Sequence, residues 1–203
     1  MELINKKLLG EEKIKEFRKK FFDGKPFEHL LLRDFLEEKR AKKVLEALKK
    51  EKFEHKECDL FSLSQTNDLK YSKNKVLQEF YRLMVSKEFA KWIEEITGIS
   101  LNREKIDMSG SLYEECDYLL CHDDQLEGRK IAFIYYLSSD FSEKEGGAFV
   151  MFDCENGQAG GIAKRYSPRL NSFLIFIVSD KSFHEVEENM SNKDRYAIGG
   201  WLH

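Results

Sequence analysis

Leu119-Leu120-Cys121-His122-Asp123-Asp124-Gln125-Leu126-Glu127-Gly128-Arg129-Lys130-Ile131-Ala132-Phe133-Ile134-Tyr135-Tyr136-Leu137 is the stretch on which the fold reading turns. Its second half, 131–137, is β-branched and aromatic, as strands are, and Gly128 before it is a turn signal. Its first half ends in His122-Asp123-Asp124. Side chains alternate along a strand, so positions i and i+2 share a face. This predicts that His122 and Asp124 close one strand together, with Asp123 and Cys121 turned away. Another histidine, in Ser182-Phe183-His184, lies sixty residues beyond Asp124 and belongs to a different strand. Two imidazoles and one carboxylate make the facial ligand set of a non-heme Fe(II) centre, which keeps the opposite face open. The same set also suits Mn, Co, Ni or Zn. Such a site forms only where the fold sets distant strands side by side, as a barrel or jelly roll does. His-x-Asp alone is a weak signal, and the competing reading is a surface pair at a strand end.

Outward from this stretch, the second half of the chain is a series of short strand-like runs at 109–121, 148–152, 161–166, 172–178, 184–186 and 196–202. Gly146-Gly147, Asn156-Gly157 and Pro168-Arg169-Leu170-Asn171 separate several of them. Regularly spaced short strands indicate a sandwich or barrel. The first half reads largely helical. Ile14, Phe17, Phe21 and Phe22 recur at helical spacing in 11–22, and Ala41, Val44, Leu45 and Leu48 form a stripe in 37–50. One longer helix is expected from 75 to 96, ended by Gly98, and 29–32 reads as a short strand. The predicted class is α+β: a double-stranded β-helix (jelly-roll) core with supporting N-terminal helices. It is one domain over 1–203, mainly helical to residue 100 and β-helix from 101.

At 203 residues the chain is long enough to bury a substantial core. A net charge of −3 argues against nucleic acid as an electrostatic partner, and the lysines of 13–20 and 39–50 alternate with glutamates as solvated helix faces do. No apolar run approaches the roughly 20 residues of a membrane span, and the opening MELINKKLLGEEKIKEF is no secretory signal. Cys58, Cys116, Cys121 and Cys154 lack CxxC spacing, as expected of free thiols in a reducing compartment. The location read from this is cytoplasmic, or nuclear in a eukaryote. Arg195 opens the last strand-like run. An arginine buried in a β-core is costly without an anion, which a dicarboxylate could supply through a two-pronged contact; the competing reading is an arginine at an exposed strand edge.

LLCHDDQLEGRKIAFIYYL, the later SFHEV (182–186) and the closing RYAIGGWLH (195–203) together resemble the 2-oxoglutarate- and Fe(II)-dependent dioxygenases of the prolyl-hydroxylase branch. Within it the likeness is to the hydroxylases of a proline in a small-ribosomal-subunit protein, and it runs from about residue 26 to 203. The resemblance implies that His122, Asp124 and His184 ligate Fe(II). It implies that Arg195 and Tyr136 hold the distal carboxylate of 2-oxoglutarate, that Tyr113 contacts this co-substrate, and that Leu119 and Trp201 wall the pocket. For Tyr113 and Trp201 plain core packing is the competing reading. It further implies consumption of O2, succinate and CO2 as products, support by ascorbate, and a protein partner with a target proline.

Two departures qualify the likeness. Ala197 stands where family members commonly have a serine that adds a hydroxyl to the carboxylate contact. Eukaryotic relatives of the ribosomal type carry a second, degenerate β-domain, whereas the matching segments here belong to the first. The same chemistry on another protein or a small molecule, and a non-catalytic binding module, stay open, as does the oligomeric state.

Overall fold

Strands that are apolar on both faces need cover on both faces, and two such strands organise this chain. In the computed structural model, which describes residues 1–139 and 141–203, these are β6 (Ile131–Tyr136) and β9 (Ser172–Ile177). Ile131, Phe133 and Tyr135 of β6 and Phe173 and Ile175 of β9 pack toward the helices. The alternate residues, Ala132, Tyr136, Leu174 and Phe176, pack inward with Phe149 and Met151.

The outer layer is α1 (Glu11–Phe22), α2 (Glu38–Leu48), α3 (Lys75–Met84) and α4 (Lys87–Thr97). The remaining strands are β1 (His29–Leu32), β2 (Phe53–Cys58), β3 (Phe61–Thr66), β4 (Ile106–Tyr113), β5 (Tyr118–His122), β7 (Phe149–Glu155), β8 (Gln158–Tyr166), β10 (His184–Val186) and β11 (Arg195–Leu202). All pairings are antiparallel, in the order β1-β9-β6-β11-β4-β3-β5-β10-β7-β8, with β2 on β3. The sheet folds over itself. Phe176 of β9 lies 5.3 Å, ring to ring, from Phe149 of β7 and 4.8 Å from His184 of β10. The α+β class and the jelly-roll core are thus present. No helix among the described residues is long and apolar enough to cross a membrane.

The chain departs from the sequence reading in four places. The expected helix over 75–96 is two helices, because Ser86 adopts extended angles and caps α4 by accepting from Phe89 N at 3.1 Å. The run 109–121 is two strands, because Cys116 turns at φ 70° and Asp117 accepts from Glu114 N. Phe22 is exposed rather than part of the apolar face of α1. Besides the expected strand at 29–32, now β1 on β9, the first hundred residues also contribute the unexpected β2–β3 hairpin to the sheet, and β3 pairs with both β4 and β5.

Helical layer and sheet are tied at Asn171, buried just before β9. Its Oδ1 accepts from Leu36 N and Tyr135 Oη, both at 2.9 Å, and its Nδ2 donates to Leu36 O at 2.8 Å. It holds φ 64°, a conformation asparagine tolerates better than most residues. Asn171→Ala strands these buried partners and adds backbone strain. We expect it to cost about 2–4 kcal/mol, seen as a lower urea midpoint at unchanged m-value.

Candidate metal and anion site

His122 and His184 are register partners across β5 and β10. Each Nδ1 lies against the carbonyl two residues earlier, His122 on Leu120 O at 2.8 Å and His184 on Ser182 O at 2.7 Å. A carbonyl only accepts, so both Nδ1 atoms carry the hydrogen and both Nε2 lone pairs face inward. There they meet one carboxylate: Asp124 Oδ1 is 3.4 Å from His122 Nε2, and Oδ2 is 3.3 Å from His184 Nε2. The three groups offer ligand atoms within 4.8 Å of one another.

The route to this arrangement differs from the strand alternation expected. β5 ends at His122, and Asp124 lies beyond it in a left-handed turn at φ 64° that folds its carboxylate back between the imidazoles. Arg129 supports the turn, with Nη1 3.4 Å from Asp124 O and 4.0 Å from Oδ1. Burial works to raise the Asp124 pKa, but the two imidazoles outweigh it and hold the group far below the usual carboxylate range. Burial works to lower that of His122, and Asp124 outweighs it, so the imidazole holds a proton more firmly than usual. With both imidazoles neutral, two lone pairs and a carboxylate converge on one point, where a proton or a metal ion relieves their repulsion. The donor set therefore fits a divalent metal with an open face.

At the start of β11 a second demand is unmet. Arg195 is 1% exposed; its Nε donates to Gly147 O at 2.7 Å, while Nη2 is buried without a partner among the described residues. The guanidinium carbon lies 4.7 Å from the Tyr113 ring centroid and 5.5 Å from that of Tyr136. Tyr136 Oη is also buried and unpartnered. Burial pushes the Tyr113 phenol up to about 12 and that of Tyr136 higher still, against the opposing pull of Arg195, so both remain O–H donors. A buried cation beside an unused hydroxyl fits a carboxylate.

Triad and Arg195 line one cavity of about 140 Å³, together with Tyr113, Leu119 and Trp201. Phe149 and Phe176 bring rings to 5.1 and 4.8 Å from His184 and form its apolar wall. The sequence reading missed these rings and also Leu63, Gln65, Ser109, Ser111 and Gly199 in the same lining. Their strongest signal was Gly199-Gly200 inside a strand, which marks a bulge or a close approach.

A family model described as the 2OG-Fe(II) oxygenase superfamily matches residues 108–203, the span that holds the triad, Arg195 and both tyrosines. Residues 108–203 are a 2OG-Fe(II) oxygenase superfamily domain. The chain is 38% identical over 187 residues to prolyl 3-hydroxylase OGFOD1 of Xenopus laevis, covering 89% of this chain and 36% of that protein. It is 31% identical to prolyl 3-hydroxylase sudestada1 of Drosophila melanogaster, covering 88% and 34%. It thus spans about a third of the length of these curated relatives. Its fold matches a prolyl-4-hydroxylase of Pseudomonas putida with TM-score 0.74 at 14% identity, over 92% of this chain and 98% of that one.

Two expectations follow for this site. Mn(II) at 100 times its Kd raises stability by about 2.7 kcal/mol, a shift of roughly 5–10 °C by thermal melting, and Asp124→Asn loses that shift. Arg195→Lys keeps a charge but loses the forked contact; in the metal-loaded chain its 2-oxoglutarate Kd, read from the ligand's added melting shift, rises at least about tenfold.

Proposed function

We propose that this oxygenase hydroxylates a prolyl residue of a protein, with a small-subunit ribosomal protein as the substrate. The observation that carries the reading is the pairing of a His122/Asp124/His184 donor set with a buried guanidinium whose Nη2 has no partner among the described residues, inside one cavity. The prolyl specificity rests on the relatives, which are named prolyl hydroxylases.

In this reading His122, Asp124 and His184 hold Fe(II), and Arg195 and Tyr136 hold the distal carboxylate of 2-oxoglutarate. Bound together, Fe(II), 2-oxoglutarate and O2 supply the oxidising power for oxygen insertion into an unactivated C–H bond, with succinate and CO2 as the other products. The chain's own contribution is positioning and dryness. The Nδ1 hydrogen bonds hold both imidazoles with Nε2 inward. Arg195, fixed by Gly147 O, sets the depth at which a carboxylate stops. Phe149, Phe176 and Val186 exclude water beside His184. Leu119 adds to the apolar lining, and Tyr113 stacks its ring against the guanidinium. Ala197 brings no hydroxyl; its partner across β4–β11 is Ser111, which lines the cavity and whose Oγ donates to Ala197 O at 3.5 Å.

A basic substrate loop would meet Asp123, Glu127 and Glu143. Glu145 is less available, because Lys193 sits 2.5 Å from it. The compartment proposed is the cytoplasm, where ribosomal proteins are made.

The test is mass spectrometry of small-subunit ribosomal proteins after incubation with the chain, Fe(II), 2-oxoglutarate and ascorbate in air. One oxygen gained on a proline is the expected result, and amino-acid analysis against 3- and 4-hydroxyproline standards locates it. Asp124→Ala abolishes the gain while leaving the circular dichroism spectrum unchanged. Activity retained in Asp124→Ala would remove the metal assignment. Succinate formed without hydroxyproline would move the substrate to another class.

A further inference from the structure

The cavity is longer than its co-substrate. On the inner face of β11 the alternate residues are Arg195, Ala197, Gly199 and Trp201, opposite Tyr113, Ser111, Ser109 and Asp107 of β4. Arg195 and Gly199 are four residues apart, about 13 Å along a strand. An extended five-carbon dicarboxylate spans about two strand residues, ~6–7 Å. Anchored at Arg195 it accounts for the rows of Tyr113 and Ser111. The rows of Gly199 with Ser109 and of Trp201 lie beyond it, yet Gly199, Ser109 and Trp201 line the same cavity as the triad.

This far half has a definite hydrogen-bonding character. Lys56 Nζ donates to Gln65 Oε1 at 2.8 Å, which orients the Gln65 amide. Gln65 Nε2 then donates to Ser109 Oγ at 2.9 Å. Ser109 accepts there and donates to nothing among the described residues, so its hydrogen is left for the cavity. Trp201 Nε1 is buried without a partner among the described residues, and the Arg129 guanidinium carbon stacks 3.4 Å from the Trp201 ring centroid, pinning the indole plane.

Gly199 provides the space between these donors. A Cβ there would meet Phe133 O at 3.5 Å, ordinary contact, and the residue has no positive φ. By contrast, a Cβ at Gly200 would collide with the Asp107 backbone. Gly200 is thus required by the close approach of β4, whereas nothing in the protein's own packing requires a glycine at 199. A glycine weakens a strand interior, so its use here is room for a ligand.

We propose that Ser109, Gly199 and Trp201, with Gln65 as the positioning residue for Ser109, form the slot that receives the prolyl residue of the substrate and reads its flanking carbonyls. The assignment rests on the prolyl-hydroxylase reading and adds its specificity element. Proline lacks a backbone N–H, so an X-Pro unit presents a ring and carbonyl acceptors. A slot with spare O–H and N–H donors, an indole face and a missing Cβ complements that chemistry. Residues that carry an N–H at this point would bury it unpaired, at a cost.

The test uses N-acetyl-L-proline methylamide, titrated into the chain loaded with Zn(II) and 2-oxoglutarate and followed by 1H–15N NMR. The expected shifts centre on the Ser109 and Gly199 amides and the Trp201 indole N–H. Ser109→Val weakens binding about tenfold, as loss of one buried hydrogen bond does, and Ser109→Thr restores it. Gly199→Ala keeps the melting temperature and blocks the probe. N-acetyl-L-alanine methylamide binds more weakly than the proline probe. Shifts centred elsewhere, no probe binding, or equal affinity in Ser109→Val would each overturn the slot. Hydroxyproline formed by a chain that fails here would leave the prolyl-hydroxylase reading standing without this slot, while failure in both assays would remove both.

Discussion

A buried guanidinium that meets no anion among the described residues is the constraint around which this protein is arranged. Arg195 cannot leave: it opens β11, its Nε is tied to Gly147 O, and two phenol rings flank it. Nor do the described residues neutralise it: Nη2 has no partner among them, and Tyr136 Oη, on one of the flanking rings, is likewise buried without one. Such a pocket is costly when empty and well matched to a carboxylate. The triad in the same cavity repeats the logic with opposite sign, since three electron-rich groups converge where a proton or a metal ion relieves them.

Holding two unsatisfied centres in register requires a stiff frame. β6 and β9 provide it by being apolar on both faces, one set of side chains locked under the helices and the other lining the interior. Phe35, Phe173 and Tyr135 stack or meet edge-on at the join, and Asn171 closes the hydrogen bonds between the layers. Because Tyr135 belongs to this frame and Tyr136 to the interior, one dipeptide links packing to chemistry.

Much of this was legible in the sequence where a strong local signal coincided with a motif. The jelly-roll core followed from strand spacing, and the residues later found around the cavity included His122, Asp124, His184 and Arg195. Local backbone departures were not legible. Strand alternation put Asp124 beside His122, whereas a left-handed turn delivers it. Ser86 split a helix whose apolar stripe runs on through it, since capping competes with periodicity over a single residue. The β2–β3 hairpin escaped because Phe61-Ser62-Leu63-Ser64-Gln65-Thr66 alternates weakly and lies between helices, and with it went Gln65. Ser109 and Gly199 matter through long-range register, which a linear reading does not supply.

β3 is the one strand from the first half of the chain that sits between the two strands β4 and β5. The cavity is therefore built from two sources: metal and anion groups from residues 113–195, and part of the facing wall from a hairpin some fifty residues earlier. Chemistry and recognition are encoded at separable places. A lineage could redraw the hairpin face and acquire a new target while the oxidising centre stayed as it was.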